Sequence, residues 1–240
     1  MPSKLSYKKY YSELFEKQVV CRELSLEKHG DDIARMHQTI EDVSAIFSVA
    51  ISNPEGFVYT SVLYDMGLSL FFAISGQYRQ SYIAQRAVLE NSIGALFYSA
   101  HLLQLKKWTD GQLDISWKKV SQGDGGVFTL EFSEAFCPLA SSRVDEYSGY
   151  ADDLYSNLSD FVHKHISVHD YDSKNFTYNE VLFKKVVTSF ELLARVISFV
   201  FCVRYFDTFG PSLVEEIEFS IEAVIGEVGA FQNAKKKGIV

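Results

Sequence analysis

Along most of this chain apolar residues recur at steps of three and four, the period of a helix with one face turned to a core. The clearest case is Ile33, Met36, Ile40, Val43, Phe47 and Ala50, which predicts an amphipathic helix. Ahead of it, Ser6 to about Lys28 reads as a first helix. Gly30 is its expected C-terminal residue, able to take positive φ, and Asp31 is the expected cap of the second helix. Asn53-Pro54-Glu55-Gly56 then reads as a turn, and Phe57 to Ser75 as a third helix, short of charge. From Arg79 to Trp108 apolar side chains cover nearly every face, including Ile83, Val88, Leu89, Ile93, Leu96, Phe97 and Leu102. That is the pattern of a helix surrounded by helices, and Ala84, Ala87, Gly94, Ala95 and Ala100 leave room for close neighbours. Into this central helix the sequence sets Arg86 and Glu90, one turn apart on one face and expected to pair in the interior.

The pattern weakens after Thr109-Asp110-Gly111. Asp114 to Val120 reads as a short helix around Trp117, followed by Gly123, Gly125, Gly126 and a β-prone Val127 to Leu130. A phosphate loop would need a preceding strand and a following helix with lysine or threonine, and neither is present. Residues 109–140 are therefore expected to form an irregular insertion or lid. Ser141 is the expected cap of a helix or helix pair reaching His165, with Leu154, Leu158, Phe161 and Val162 toward the core. Thr177-Tyr178-Asn179-Glu180 reads as a capping box opening a helix to about Phe206, with Glu191 and Arg195 paired along it. Gly210-Pro211 ends that helix, and Ser212-Leu213-Val214-Glu215 is a second box before the last. The expectation is an all-α bundle of six to eight helices, organised as an N-terminal helical pair (1–52), a core bundle (53–208) and a C-terminal helix with a basic tail (209–240).

Composition narrows the function classes. A chain of 240 residues with 47% hydrophobic and 15% aromatic content can bury a substantial core. A formal charge of −8 speaks against a general nucleic-acid binder, and the one basic run, Lys235 to Lys237, reads as a solvated tail. Cys21, Cys137 and Cys202 are odd in number and far apart, which predicts buried free thiols in a reducing cytoplasm. The N-terminal MPSKLSYKKYYSELFEKQ has no apolar stretch of the kind that directs secretion. Phe57 to Ser75 holds Thr60, Ser61, Asp65 and Ser69, and Val196 to Val203 is a short run between Arg195 and Arg204. Both are expected to be core helices, and no membrane partner is expected.

The chemistry concentrates in YSNLSDFVHKH. Tyr155, Ser159 and His163 recur every fourth residue and so share one side of a helix. With Arg86 and Glu90 opposite them they could form a hydrogen-bonded chain, with His163 as general base if the site is catalytic. The same five residues could instead fix helix register, a common use of buried polar groups. His163, His165, His169, Asp170 and Asp172 gather metal-ligand types, but His163 and His165 point about 200° apart on a helix, so no metal is expected. A nucleophilic pair of Ser159 and His163 lacks a strained elbow or an oxyanion loop. No cofactor is expected.

Arg86-Ala87-Val88-Leu89-Glu90, with Tyr155, Leu158, Ser159 and His163 downstream, resembles an uncharacterised bacterial all-helical family that is itself similar to HEPN-like domains. The resemblance spans about Gly56 to Phe206 and rests on short motifs. It implies a helical bundle, and a metal-independent ribonuclease or nucleotide-binding activity exercised by dimers with the motif at their shared cleft. Toxin–antitoxin and phage-defence systems are the settings it implies. HEPN ribonucleases usually carry an arginine a short spacer ahead of a histidine. Here only Arg22 and His29 meet that spacing, and no arginine stands so before His163. The functional expectation is an interaction or regulatory protein that binds itself or another protein, through the amphipathic first two helices and Tyr7, Tyr10 and Tyr11. The alternative is an RNA- or nucleotide-directed enzyme using His163.

Overall fold

The computed structural model describes residues 6–163, 176–209 and 211–226, and among them the chain is all-helical, without strands. Nine α-helices follow in order: α1 (Ser6–Phe47), α2 (Gly56–Ile74), α3 (Tyr78–Ser99), α4 (Leu102–Thr109), α5 (Trp117–Gln122), α6 (Leu130–Phe136), α7 (Val144–Val162), α8 (Glu180–Arg204) and α9 (Pro211–Ile225). Short 3₁₀ turns at Ser48–Ala50, Pro138–Arg143 and Phe206–Thr208 join some of them. The centre of the bundle is α3, packed against α2, α7 and α8. One continuous core draws side chains from Met36 to Ile225. Phe47, Tyr59, Phe97, Tyr98, Tyr147, Phe183, Phe190, Phe199 and Phe201 are its largest fully buried residues.

Three differences from the expected boundaries stand out, and the second and third raise the helix count among the described residues above six to eight. The first two predicted helices run on as α1, and the break expected between them is kept as a kink at His29, the one residue of α1 that leaves helical geometry (φ −130°, ψ 27°). Gly30 does not take positive φ and terminates nothing. It is exposed, and a methyl group there would touch no neighbour. Gly30→Ala is therefore expected to raise stability by about 0.5–1 kcal/mol, the usual gain in a helix interior. A lower melting temperature would show that Gly30 does end a helix.

The predicted central helix, by contrast, breaks at Ala100–His101. His101 leaves helical geometry, and its Nδ1–H bonds back to the Phe97 carbonyl at 2.8 Å, closing the end of α3. Leu102, expected in the core, is exposed on α4. The third difference is the segment 109–140, which is no irregular lid. It forms α5, α6 and a 3₁₀ turn, and buries Val120, Val127, Phe128, Phe132, Cys137 and Ala140. Val127 and Phe128 belong to no strand. Their amides bond to the carbonyls of Val120 and Ser121 in a tight return.

Several expected caps and pairs are also replaced. Ser141 bonds to the Ser133 hydroxyl, and α7 begins later, at Val144. Val162 is exposed. The cap of α8 is Asn179, whose side chain accepts from the Leu182 amide, in place of Thr177. Glu191 pairs with Arg35 on α1 at 2.8 Å, and Arg195 reaches the Tyr147 hydroxyl, so the two do not pair with each other. Side chains of the box at Ser212 and Glu215 lie outside the described residues.

Among the described residues two helices are long and apolar enough to cross a membrane, α2 and α8. Their settings differ. Of the apolar window in α8, 72% is buried in the bundle, against 39% of that in α2.

Candidate functional site

Arg86 is 8% exposed and sits where α3 faces α7. Its Nη2 donates to Glu90 Oε1 at 2.8 Å, one turn along the same helix. Nη1 donates to the Ser159 hydroxyl and, at 3.4 Å, to the Tyr155 carbonyl. The guanidinium lies 3.7 Å from the centre of the Tyr155 ring. Trp117, the first residue of α5, stacks on the same ring at 4.2 Å. A layered sandwich of cation, phenol and indole results, closed from outside by the short helix expected around Trp117. Because Arg86 holds both Tyr155 and Ser159 from α7, the arrangement fixes the register of α7 on α3.

Four of the five expected residues thus meet: Arg86, Glu90, Tyr155 and Ser159. His163 does not join them. It is the residue after α7, its side chain is exposed, and among the described residues its ring has no hydrogen-bond partner. The end of α7 is met by Arg79, whose Nε donates to the Phe161 carbonyl at 3.0 Å. Glu90 is about one-third exposed, so the pair opens toward water at its carboxylate end. Among the described residues no histidine converges on this cluster. His165, His169, Asp170 and Asp172 lie outside the described residues.

Comparison with protein-family models, with curated proteins and with solved structures finds no match for this chain. The chemistry must be read from its own residues.

Two further buried polar clusters escaped the sequence pattern. At the kink of α1, His29 is 3% exposed and stacks on Phe183 at 4.3 Å. Its Nδ1 meets Asp32 Oδ2 at 3.1 Å and its Nε2 meets the Tyr178 hydroxyl at 3.0 Å. Asp32 also receives Lys184 Nζ at 2.6 Å and Arg35 Nη2 at 2.7 Å. The Lys184 hydrogen bond, aided by those from His29 and Arg35, holds the Asp32 carboxyl below its ordinary range despite its burial. This cluster ties α1 to α8 across the kink.

The second cluster is at Glu55, in the expected turn and 3% exposed, which accepts from the Tyr205 hydroxyl. Burial, reinforced by Glu55, pushes the Tyr205 phenol up to about 12, so it stays protonated and donates. Tyr59 completes the chain at 3.0 Å from Tyr205.

An open cleft of about 970 Å³ lies between α7 and α8, lined by Leu158, Asp160, Phe161, Lys184, Lys185 and Thr188 among others. Arg86, Tyr155 and Ser159 do not line it.

Proposed function

We propose that this chain is a helical interaction or regulatory protein that works by binding other protein chains, its own copies included. The observation that carries this reading is the first half of α1. No residue from Ser6 to Val20 is buried, and the first to enter the bundle is Cys21. Yet Tyr7, Tyr10, Tyr11 and Phe15 stand here 55–65% exposed. Tyr7, Tyr11, Leu14, Gln18 and Cys21 follow the alternating four-three step of a helix-pairing seam, with Glu13, Glu16 and Glu23 turned away from it. An amphipathic arm whose aromatic residues stay open to water before Gln18 meets Ser75 and Cys21 enters the bundle is a surface for a partner.

The resemblance to HEPN-like helical proteins supports the same reading, since that class works through dimers and is common in toxin–antitoxin and phage-defence systems. A bacterial setting of that kind is the one we propose. The alternative, an RNA- or nucleotide-directed enzyme with His163 as base, has less behind it, because that imidazole is exposed and unoriented.

Light scattering at rising protein concentration, run beside an RNA-cleavage assay, separates the two. Association without turnover is expected. Cleavage that disappears in His163→Ala at unchanged melting temperature would overturn the reading.

A further inference from the structure

The pocket where α1, α8 and α9 meet holds a cation without a counter-charge. It encloses about 430 Å³ and is lined, among others, by Arg35 from α1, by Glu191, Leu192 and Arg195 from α8, and by Ala223 and Val224 from α9. Arg35 donates through Nε to Glu191 and through Nη2 to Asp32, and Asp32 also receives Lys184. Those two cations balance those two carboxylates. Arg195 is left over, because among the described residues only its Nε has a hydrogen-bond partner, the Tyr147 hydroxyl at 3.4 Å. Glu146, on the same helix as Tyr147, is already taken by Arg143 at 2.6 Å and by the Tyr150 hydroxyl.

Arg195 is held in place with its outer nitrogens still to be used. Its guanidinium lies 5.9 Å from the centre of the Tyr147 ring and 5.7 Å from that of Tyr150, so two rings and the Nε bond fix a half-buried side chain. The donors on Nη1 and Nη2 remain. They form a flat fork that matches two oxygens of one carboxylate or phosphate group.

Charge decides between those groups. A phosphate carries nearly two charges at neutral pH, whereas a carboxylate carries one, which Arg195 alone balances. Glu191 lines the same pocket and repels any excess. Leu192, Ala223 and Val224 give the pocket an apolar side, and its volume lies toward the small end of small-molecule sites.

We propose that this pocket binds a small monocarboxylate with a short aliphatic body, its carboxylate on the Arg195 fork and its body against Leu192, Ala223 and Val224. Such a ligand joins α1, α8 and α9. It goes beyond protein association by giving an interaction protein a small-molecule input.

The probe is isovalerate, followed by saturation-transfer NMR at neutral pH. Beside it run isoamyl alcohol, which keeps the body without the charge, and inorganic phosphate, which keeps a charge without the body. Isovalerate is expected to bind in the millimolar range that so few atoms allow, and the other two at least about tenfold more weakly. Arg195→Lys keeps the charge but not the fork, and a loss of about tenfold or more is expected. Ala223 is exposed on α9, so Ala223→Leu fills the pocket while leaving every cation in place. Loss of isovalerate binding at unchanged melting temperature is expected there, which keeps the test decisive if Arg195→Lys folds poorly.

No binding of isovalerate to the wild type at high-millimolar concentration overturns the proposal. Binding that survives both substitutions lies elsewhere and overturns the site. Isoamyl alcohol bound as tightly as isovalerate removes the role of Arg195. Phosphate bound more tightly than isovalerate, and lost in Arg195→Lys, overturns the carboxylate as the ligand group.

Discussion

Arg86→Ala is expected to lower folding stability by about 3 kcal/mol, the scale on which removing one member of a buried ion pair acts. For a domain of this size that is a fall of roughly 6–12 °C in melting temperature. The loss has three parts. Glu90 and the Ser159 hydroxyl lose their donor, and the Tyr155 ring loses the cation on one face while Trp117 remains on the other. Arg86→Lys keeps the charge but neither the planar stack nor the fork that reaches two acceptors at once, and so should recover less than half of the loss. Thermal melts of the two variants measure this directly. Wild-type stability in Arg86→Ala would show that the sandwich does not hold α7 on α3.

Asp32→Asn is expected to cost about 2–3 kcal/mol, because Lys184, Arg35 and His29 all converge on that carboxylate. Its pH signature sets it apart from a packing defect. The Asp32 carboxyl is held below its ordinary range, chiefly by the Lys184 hydrogen bond. A carboxylate depressed in the folded state adds stability that is fully present above the unfolded value of about 4 and fades as pH falls through the folded value. Denaturant titrations between neutral pH and about pH 3 should therefore show a shallower acid loss in Asp32→Asn than in the wild type. Equal acid slopes in the two proteins would remove Asp32 from the account of the kink.

Much of the local structure was legible in the sequence, because helical periodicity is a local property. The spacing of Met36, Val43 and Phe47 placed the second half of α1 in the core. The i,i+4 spacing brought Arg86 to Glu90, and Tyr155 and Ser159 to one face of α7. What escaped depends on residues far apart in the chain. His29 read as the polar end of a first helix and Asp32 as the start of a second, because Tyr178 and Lys184, which bury them, stand about 150 residues downstream. Glu55 looked like a turn residue for the same reason, its partner being Tyr205.

Where two local readings competed, tertiary partners decided. Glu191 could reach Arg195 along α8 but is taken by Arg35 from α1. The segment 109–140 misled through its glycines and short apolar runs, which have no clear period. Its buried Phe132 and Val127 become intelligible only once α5 and α6 are packed on α3 and α8. The end of α3 is hidden in the pattern because apolar residues continue through Leu102 and Leu103, which instead face water on α4.

Sedimentation equilibrium of the wild-type protein from micromolar to near-millimolar concentration bears most directly on the reading that this bundle works through its surface. A reversible shift from monomer to dimer is the expected result. A single monomeric species across the whole range would contradict it.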